Sequence, residues 1–270
     1  MRCLLVSSLL VASALAAGCA TTADPPRPAA YDEGGVDRWE FDEVTDSVWV
    51  HTTYRDLEGV GPFPANGLVL VSSGEALLVD TGWGDRPDAT TRAILSSVRQ
   101  AFGVPFTHAV LAHHHDDSVG GIAALRYERV PTLATRQTAA LMEADGWGRP
   151  DSTLALGVGE AFSFQLGSET VEVFYPGPGH TNDNVVVYLP GSRVLFGGCL
   201  VRPAASGRLG NLADADVEAW GTSVARVRER YGDRVEVVVP SHGPRGGPDL
   251  LDHTIALVER QRAAGAPGGG

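Results

Sequence analysis

Four apolar, strand-like runs in this chain each give way to a turn that carries a histidine or a cysteine. "THAVLA" (107–112) runs into "HHHDD" (113–117). "ETVEVFYP" (169–176) leads to His180, "RVLFGG" (193–198) to Cys199 and "RVEVVVPS" (234–241) to His242. Glycines beside these residues let the backbone turn tightly. If the four strands belong to one packed sheet system, their C-terminal ends converge on one edge. A fold that scattered them would leave four unexplained polar, ligand-type turns on apolar strands.

The run of three histidines is the sharpest case, because the whole chain has only eight. In an extended segment residues i and i+2 point the same way and i+1 points opposite. His113 and His115 can then meet at one ion, with Asp117 reaching a neighbouring point. On a helix the two histidines would diverge by about 200°, so "HHHDD" is expected to be a loop. His114 and Asp116 alternate outward, toward packing or loop hydrogen bonds. The four turns together supply four histidines, one aspartate and one cysteine, the ligand types zinc favours. Six ligands are too many for one tetrahedral zinc and suit two sites of three, each with an open position. The bland reading of any one turn is a solvated polar loop. For His51, His108 and His253, and for Trp39, Trp49, Trp147 and Trp220, structural packing is the expectation.

Around these turns strand-like and helix-like runs alternate. Strands are expected at 47–54, 67–73 and 75–80, then a helix at 88–102, the strand at 107–112 and a helix over 118–128. A second batch has strands at 169–176, 184–190 and 193–198, a helix at 214–231, a strand at 234–241 and a helix at 248–262. Two similar batches suit an α/β fold of four layers, an αββα sandwich: two mixed β-sheets face to face with helices outside. No internal linker or repeat interrupts residues 37–264, which are expected to form one domain.

The N-terminus reads as an export signal. Arg2 precedes a short apolar run, and "LAAGC" resembles a lipoprotein signal with Cys19 as the lipidated residue. Residues 1–19 are therefore expected to be a signal peptide, 20–36 a Pro/Ala/Gly-rich tether and 265–270 a frayed tail. The expected location is the periplasm, attached to the outer membrane through Cys19, or else soluble there or secreted. Of the three cysteines, two lie in the leader and at its end, so Cys199 stands alone in the body. An unpaired thiol in an oxidising compartment calls for an occupant such as a metal. The net charge of −12 argues against nucleic-acid binding, which needs a basic surface.

His-x-His-x-Asp, followed by His180, Cys199 and His242 in these settings, resembles the metallo-β-lactamase superfamily, most of all its subclass B1. The flanking text is similar too: "GPGHTNDNVVVYLP", "LFGGCLV", "LGNLADAD" and "EAW". Other hydrolases of the superfamily typically carry a histidine directly after the motif aspartate and an aspartate at the cysteine position. Here those positions hold Ser118 and Cys199. The resemblance runs from about 47 to 258. It implies His113, His115 and His180 on a first zinc, and Asp117, Cys199 and His242 on a second. It implies hydrolysis of the β-lactam amide bond of penicillins, cephalosporins and carbapenems by a monomer. In that chemistry Asp117 orients the nucleophile and Asn211 lies near the lactam carbonyl. Arg202 stands where relatives have a lysine for the substrate carboxylate. Phe63, on a flap over 55–67, and Trp83 are apolar contacts. Asp80 steadies the metal loop, and Ser118 lies close to the second zinc without binding it. Two other readings remain: a hydrolase of lactones, thioesters or esters on the same fold, and a zinc-binding envelope lipoprotein without catalysis.

Overall fold

The structure, a computed structural model, describes residues 27–30, 38–83 and 87–265. The signal peptide, Cys19, most of the tether and residues 266–270 lie outside the described residues. Within the tether, residues 27–30 are seen against the body: Arg27 pairs with Glu43, and Trp39 Nε1 donates to the Ala29 carbonyl. No described helix is long and apolar enough to cross a membrane.

Seven strands form the first sheet in chain order: β1 (Trp39–Thr45), β2 (Val48–Leu57), β3 (Gly61–Ser72), β4 (Glu75–Val79), β5 (Phe106–Val110), β6 (Thr132–Thr135) and β7 (Ser152–Leu154). The first four pair antiparallel and the last four parallel. α1 (Pro87–Phe102), α2 (Asp116–Val119), α3 (Ile122–Tyr127) and α4 (Arg136–Ala144) lie in the connections of the parallel half. The second sheet contains β8 (Glu160–Leu166), β9 (Glu169–Tyr175), β10 (Val186–Leu189), β11 (Val194–Gly198) and β12 (Val237–Pro240), in the order β12-β11-β10-β9-β8. α5 (Val217–Tyr231) carries the crossover between the parallel neighbours β11 and β12, and α6 (Asp249–Gly265) closes the described chain.

Three apolar layers show why the sheets stack. Val48, Val50, Leu68, Leu70, Leu77 and Val79 face the second sheet and meet Val171, Val173, Val187 and Phe196. The alternate residues Trp49, Val69, Ala76 and Leu78 point the other way, against Ile94, Leu95 and Val98 of α1. Trp220, Val224 and Val227 of α5 and Leu257 of α6 cover the outside of the second sheet. Strands buried on both faces read as continuous apolar runs. Each fully buried leucine contributes roughly 1.5–3 kcal/mol. The expected four-layer αββα sandwich is the observed fold.

Local differences have local causes. The expected helix over 118–128 starts two residues early, at Asp116, so only His113–His115 of the expected "HHHDD" loop are non-helical, and it is two pieces, α2 and α3, broken at Gly120–Gly121. A Cβ at Gly121 would collide with Thr91 Oγ1 and Thr81 Cβ, so α1 can approach only because that side chain is absent. The β3–β4 hairpin turns on Ser73 and Gly74, both with positive φ, the backbone a tight primed turn requires. β2 and β3 extend past their predicted ends to Leu57 and Gly61, making one long hairpin of the 55–67 segment. Strands β1, β6, β7 and β8 and helix α4 have no counterpart in the sequence reading. β1 and β8 interleave charged or polar residues, and β6 and β7 have only four and three residues.

Candidate metal centre

The four strand ends meet. β5 runs out into residues 111–115, and α2 then presents Asp117 one turn after His113. His180 follows β9, Cys199 follows β11 and His242 follows β12. β11 and β12 are parallel neighbours, so Cys199 and His242 leave the sheet side by side, tied by the Ser241 N–H to the Gly198 carbonyl at 3.0 Å. The two sheets are stitched at this edge. Val185 N–H donates to Ala112 O at 2.9 Å, and Asn66 N–H to Ser241 O at 2.7 Å. The Asn66 amide adds bonds to the Pro240 and Gly243 carbonyls at 2.9 and 2.8 Å, fixing the turn that carries His242.

Two clusters result. His115 Nδ1 lies 3.2 Å from His180 Nε2, and the His113 ring centroid is 4.9 Å from that of His115 and 5.4 Å from that of His180. One donor atom from each of the three lies within 4.8 Å of the others. Beside them, Asp117 Oδ2, Cys199 Sγ and His242 Nε2 form a triangle with edges of 3.1, 3.4 and 3.3 Å. Asp117 joins the clusters, since its Oδ1 is 3.3 Å from His113 Nε2. A tetrahedral ion with bonds of about 2.0–2.3 Å has ligand–ligand edges of roughly 3.3–3.7 Å, so these spacings suit a common ion in each cluster. His113 Nε2 and His180 Nδ1 are buried without a hydrogen-bond partner, and a coordinated ion would satisfy such a His113 nitrogen. His114 is not in either cluster: its Nδ1 faces Asp183 Oδ1 at 3.0 Å.

Supporting contacts set each ligand's direction. Asp80, at φ 57°, turns its Oδ1 onto the Ala112 N–H at 2.7 Å and accepts the Ser118 hydroxyl. Ser118 Oγ also lies 3.2 Å from Ala112 N. His242 Nδ1 is held by the Pro64 carbonyl at 2.7 Å. His115 Nε2 is 3.1 Å from Asp214 Oδ2. The His180 loop is pinned by Tyr175 Oη to Asn182 O at 2.6 Å and by Ser223 Oγ to Pro178 O at 2.6 Å. Trp220 Nε1 holds the Leu200 carbonyl, next to Cys199, at 2.8 Å.

Electrostatics also ask for a cation. Burial pushes the Asp117 carboxyl up, yet His113 and His242 hold it well below the usual carboxylate range. Burial and Asp117 push the Cys199 thiol up, and three imidazoles outweigh them and bring it well below its ordinary value. Burial disfavours a charged His242, but Cys199 and Asp117 raise its pKa to about 10. His113 is likewise raised well above normal against its burial, chiefly by Asp117. A buried carboxylate and thiolate thus draw positive charge into the cluster, as protons or as metal.

The clusters open into a cleft of about 720 Å³. One wall is the β2–β3 hairpin, with Arg55, Leu57, Val60 and Phe63; Trp83 lies beside it. Phe63 and Trp83 both touch the His242 ring, at centroid distances of 5.0 and 5.3 Å. The Trp83 indole N–H donates to the Phe63 carbonyl at 2.9 Å, so this wall is tied to the centre. The other wall is the loop from β11 to α5, with Arg202, Arg208, Gly210 and Asn211. Asn211 is exposed and lines the cleft, and its Oδ1 accepts the Ala213 N–H at 3.1 Å. Arg202 is buried, its own backbone N–H fixed on Thr254 Oγ1 at 2.8 Å.

Several contributors have no mark in the sequence reading. Asp214 orients His115, Asn66 holds the His242 turn, and Arg55 ion-pairs with Asp116 and packs over Trp83. Only the "LADAD" run before α5 hinted at Asp214; the partners of Arg55 and Asn66 are 61 and 174 residues away.

Residues 60–242 match the metallo-beta-lactamase superfamily. The chain is 39% identical over 217 residues to a metallo-beta-lactamase type 2 of Bacillus cereus, covering 80% of this chain and 81% of that one. It is 34% identical to a metallo-beta-lactamase type 2 of Pseudomonas aeruginosa over 215 residues, 80% of this chain and 82% of that one. Among solved structures, a metallo-beta-lactamase from Pontibacter korlensis superposes with a TM-score of 0.77 at 40% identity, covering 83% of this chain and all (100%) of that one. A Pseudomonas aeruginosa metallo-beta-lactamase in a mono-zinc form gives 0.76 at 36% identity, with 83% and 96% coverage.

Proposed function

The chain belongs to the metallo-beta-lactamase superfamily, and on that footing we propose that it is a subclass B1 enzyme that hydrolyses the amide bond of β-lactam antibiotics with two zinc ions. The observation that carries this reading is the Asp117–Cys199–His242 triangle, with edges of 3.1–3.4 Å, beside the three-histidine cluster. His113, His115 and His180 would hold the first zinc, and Asp117, Cys199 and His242 the second.

Bound zinc supplies Lewis acidity and lowers the pKa of water toward neutrality. Asp117, placed between the two clusters, accepts a hydrogen from the attacking water and aims it at the lactam carbon. The Asn211 amide donates to the lactam carbonyl oxygen, where negative charge develops. The Arg202 guanidinium takes the substrate carboxylate, and as a planar fork it can do so through two hydrogen bonds where a lysine offers a point charge. Phe63 and Trp83 cover the apolar part of the substrate and exclude water. Asp80 and Ser118 keep the metal loop in register. A lipidated Cys19 would fix the enzyme, as a monomer, to the periplasmic face of the outer membrane.

Carbapenem hydrolysis by the purified chain, followed by ultraviolet absorbance, tests the reading. Loss of absorbance with zinc, stopped by a chelator, is the expected result. Turnover of a lactone or thioester instead would move the activity to another hydrolase of the fold. A zinc-loaded, folded protein that turns over none of these would be a zinc-binding envelope protein.

A further inference from the structure

The cleft beside the metal centre is lined by three carboxylates and three guanidinium groups. Every carboxylate is engaged. Asp116 pairs with Arg55, Asp117 lies among His113, Cys199 and His242, and Asp214 lies 3.1 Å from His115. Of the guanidinium groups only Arg55 has a carboxylate among the described residues. Arg202 is 9% exposed, and its Nε is buried without a hydrogen-bond partner. Its head rests on the Gly210 turn, where a Cβ would sit 3.4 Å from its Nη2. Arg208 is exposed on the same loop, two residues before Gly210, and makes no hydrogen bond or ion pair among the described residues. The chain has 33 acidic residues against 21 arginines. Among the described residues two arginines in this cleft lack a carboxylate, against one carboxylate, Asp214, whose partner is the His115 imidazole, so positive charge is left over for an anion.

We propose that Arg208 forms a second anion subsite in this cleft, apart from Arg202, that takes a second carboxylate of the ligand. This rests on the β-lactamase reading above. The carboxylate common to penicillins belongs to Arg202, and Arg208 reads another. That other carboxylate has two sources. One is a substrate with an acidic side chain. The other is the product: water adds to the lactam carbon, the C–N bond breaks, the nitrogen takes a proton and the acyl carbon leaves as a second carboxylate, with its proton released to solvent. Both are dianions of the same chemistry.

Two matched pairs separate the sources in the zinc-loaded full chain and in Arg208→Gln. The first is turnover of benzylpenicillin against α-carboxybenzylpenicillin, which differ by one carboxylate. The second is equilibrium binding of ring-opened benzylpenicilloate against its decarboxylated form. The wild type is expected to prefer the dianion in at least one pair. Arg208→Gln should lose about fivefold of that preference, the scale of a half-exposed charge pair, and Arg208→Lys should restore part of it. A loss in the first pair assigns the subsite to substrate side chains; a loss in the second assigns it to product. A wild type indifferent to the extra carboxylate in both pairs, or an Arg208→Gln variant with its preference intact, overturns the proposal. If neither penicillin is hydrolysed, the function fails while the binding pair still decides the subsite.

Discussion

In the three-histidine cluster burial and the neighbouring imidazoles hold His115 below its ordinary pKa, while Asp117 raises His113, so the donors there are imidazoles with no anion among them. In the adjoining cluster the donors are a carboxylate, a thiolate and the raised imidazole of His242. The two stand next to each other, share Asp117 as a neighbour and arise from the same kind of strand end. They differ in charge and softness. The first should take a borderline cation without charge compensation by the protein, whereas the second compensates most of a divalent ion's charge with two anions. The lesson is that one sheet edge builds two chemically distinct clusters of ligand-type side chains simply by which residue each strand carries into its turn.

Cys199→Ser breaks the comparison most directly, because it replaces the soft anion with a hydroxyl of similar size. The second metal should be lost, and kcat should drop by at least the ~100-fold that losing even an orienting partner can cost. Metal content and steady-state rates check this; two retained ions with full turnover would refute it. Asp80→Asn keeps the shape but weakens the hold on Ala112 and Ser118 that places the metal loop. Metal affinity should fall roughly 10–100-fold at the first cluster, read by competition with a chromophoric chelator. An unchanged affinity would mean the loop holds itself.

The charge contrast also predicts a pH profile for the metal-free protein. His242 is raised from 6.5 to about 10, so its contribution to stability is full below pH 6.5 and is lost as pH rises through about 10. Cys199 is lowered from 9.0, so its contribution is full above pH 9.0 and is lost as pH falls. Just below pH 9.0 the folded pair, a protonated His242 and a Cys199 thiolate, and the unfolded pair, a neutral imidazole and a thiol, bind the same number of protons, so the pair adds no slope there. Above pH 9.0 the unfolded chain binds fewer, and stability declines. Urea midpoints across this range test it, and a midpoint still rising near pH 10 would contradict the assignment. The smallest effect is at the periphery. Trp220→Phe keeps the apolar ring but loses the hydrogen bond to Leu200 O beside Cys199. It should cost about 1 kcal/mol in stability, with little change at the three-histidine cluster.

Five of the six candidate ligands were legible because each follows an apolar strand's end, where local sequence sets both the strand and the turn; Asp117, on α2, was legible only from its spacing to His113 and His115. The layering was legible for the same reason: Val69 and Leu70 are both buried, on opposite faces, so the run is apolar throughout. What could not be read is what depends on distant partners. β8 pairs with β9 through its backbone while its side chains are mostly exposed, which leaves no apolar run to find. Asp214 matters through His115, 99 residues away, and the "LADAD" run around it marks an acidic segment but not that partner. The segment 55–67 resembles a flap over the site, and its three glycines and two prolines give no strand pattern. It is the tip and upper arms of a hairpin, held down by Trp83 and His242 at two of its carbonyls.

Titration of the metal-free chain with cobalt(II) tests the central claim of two distinct sites most directly. The account predicts two equivalents bound, with a thiolate-to-metal charge-transfer band in the near ultraviolet that saturates with one of them and is missing in Cys199→Ser. A single equivalent without that band, in a folded protein, would contradict it.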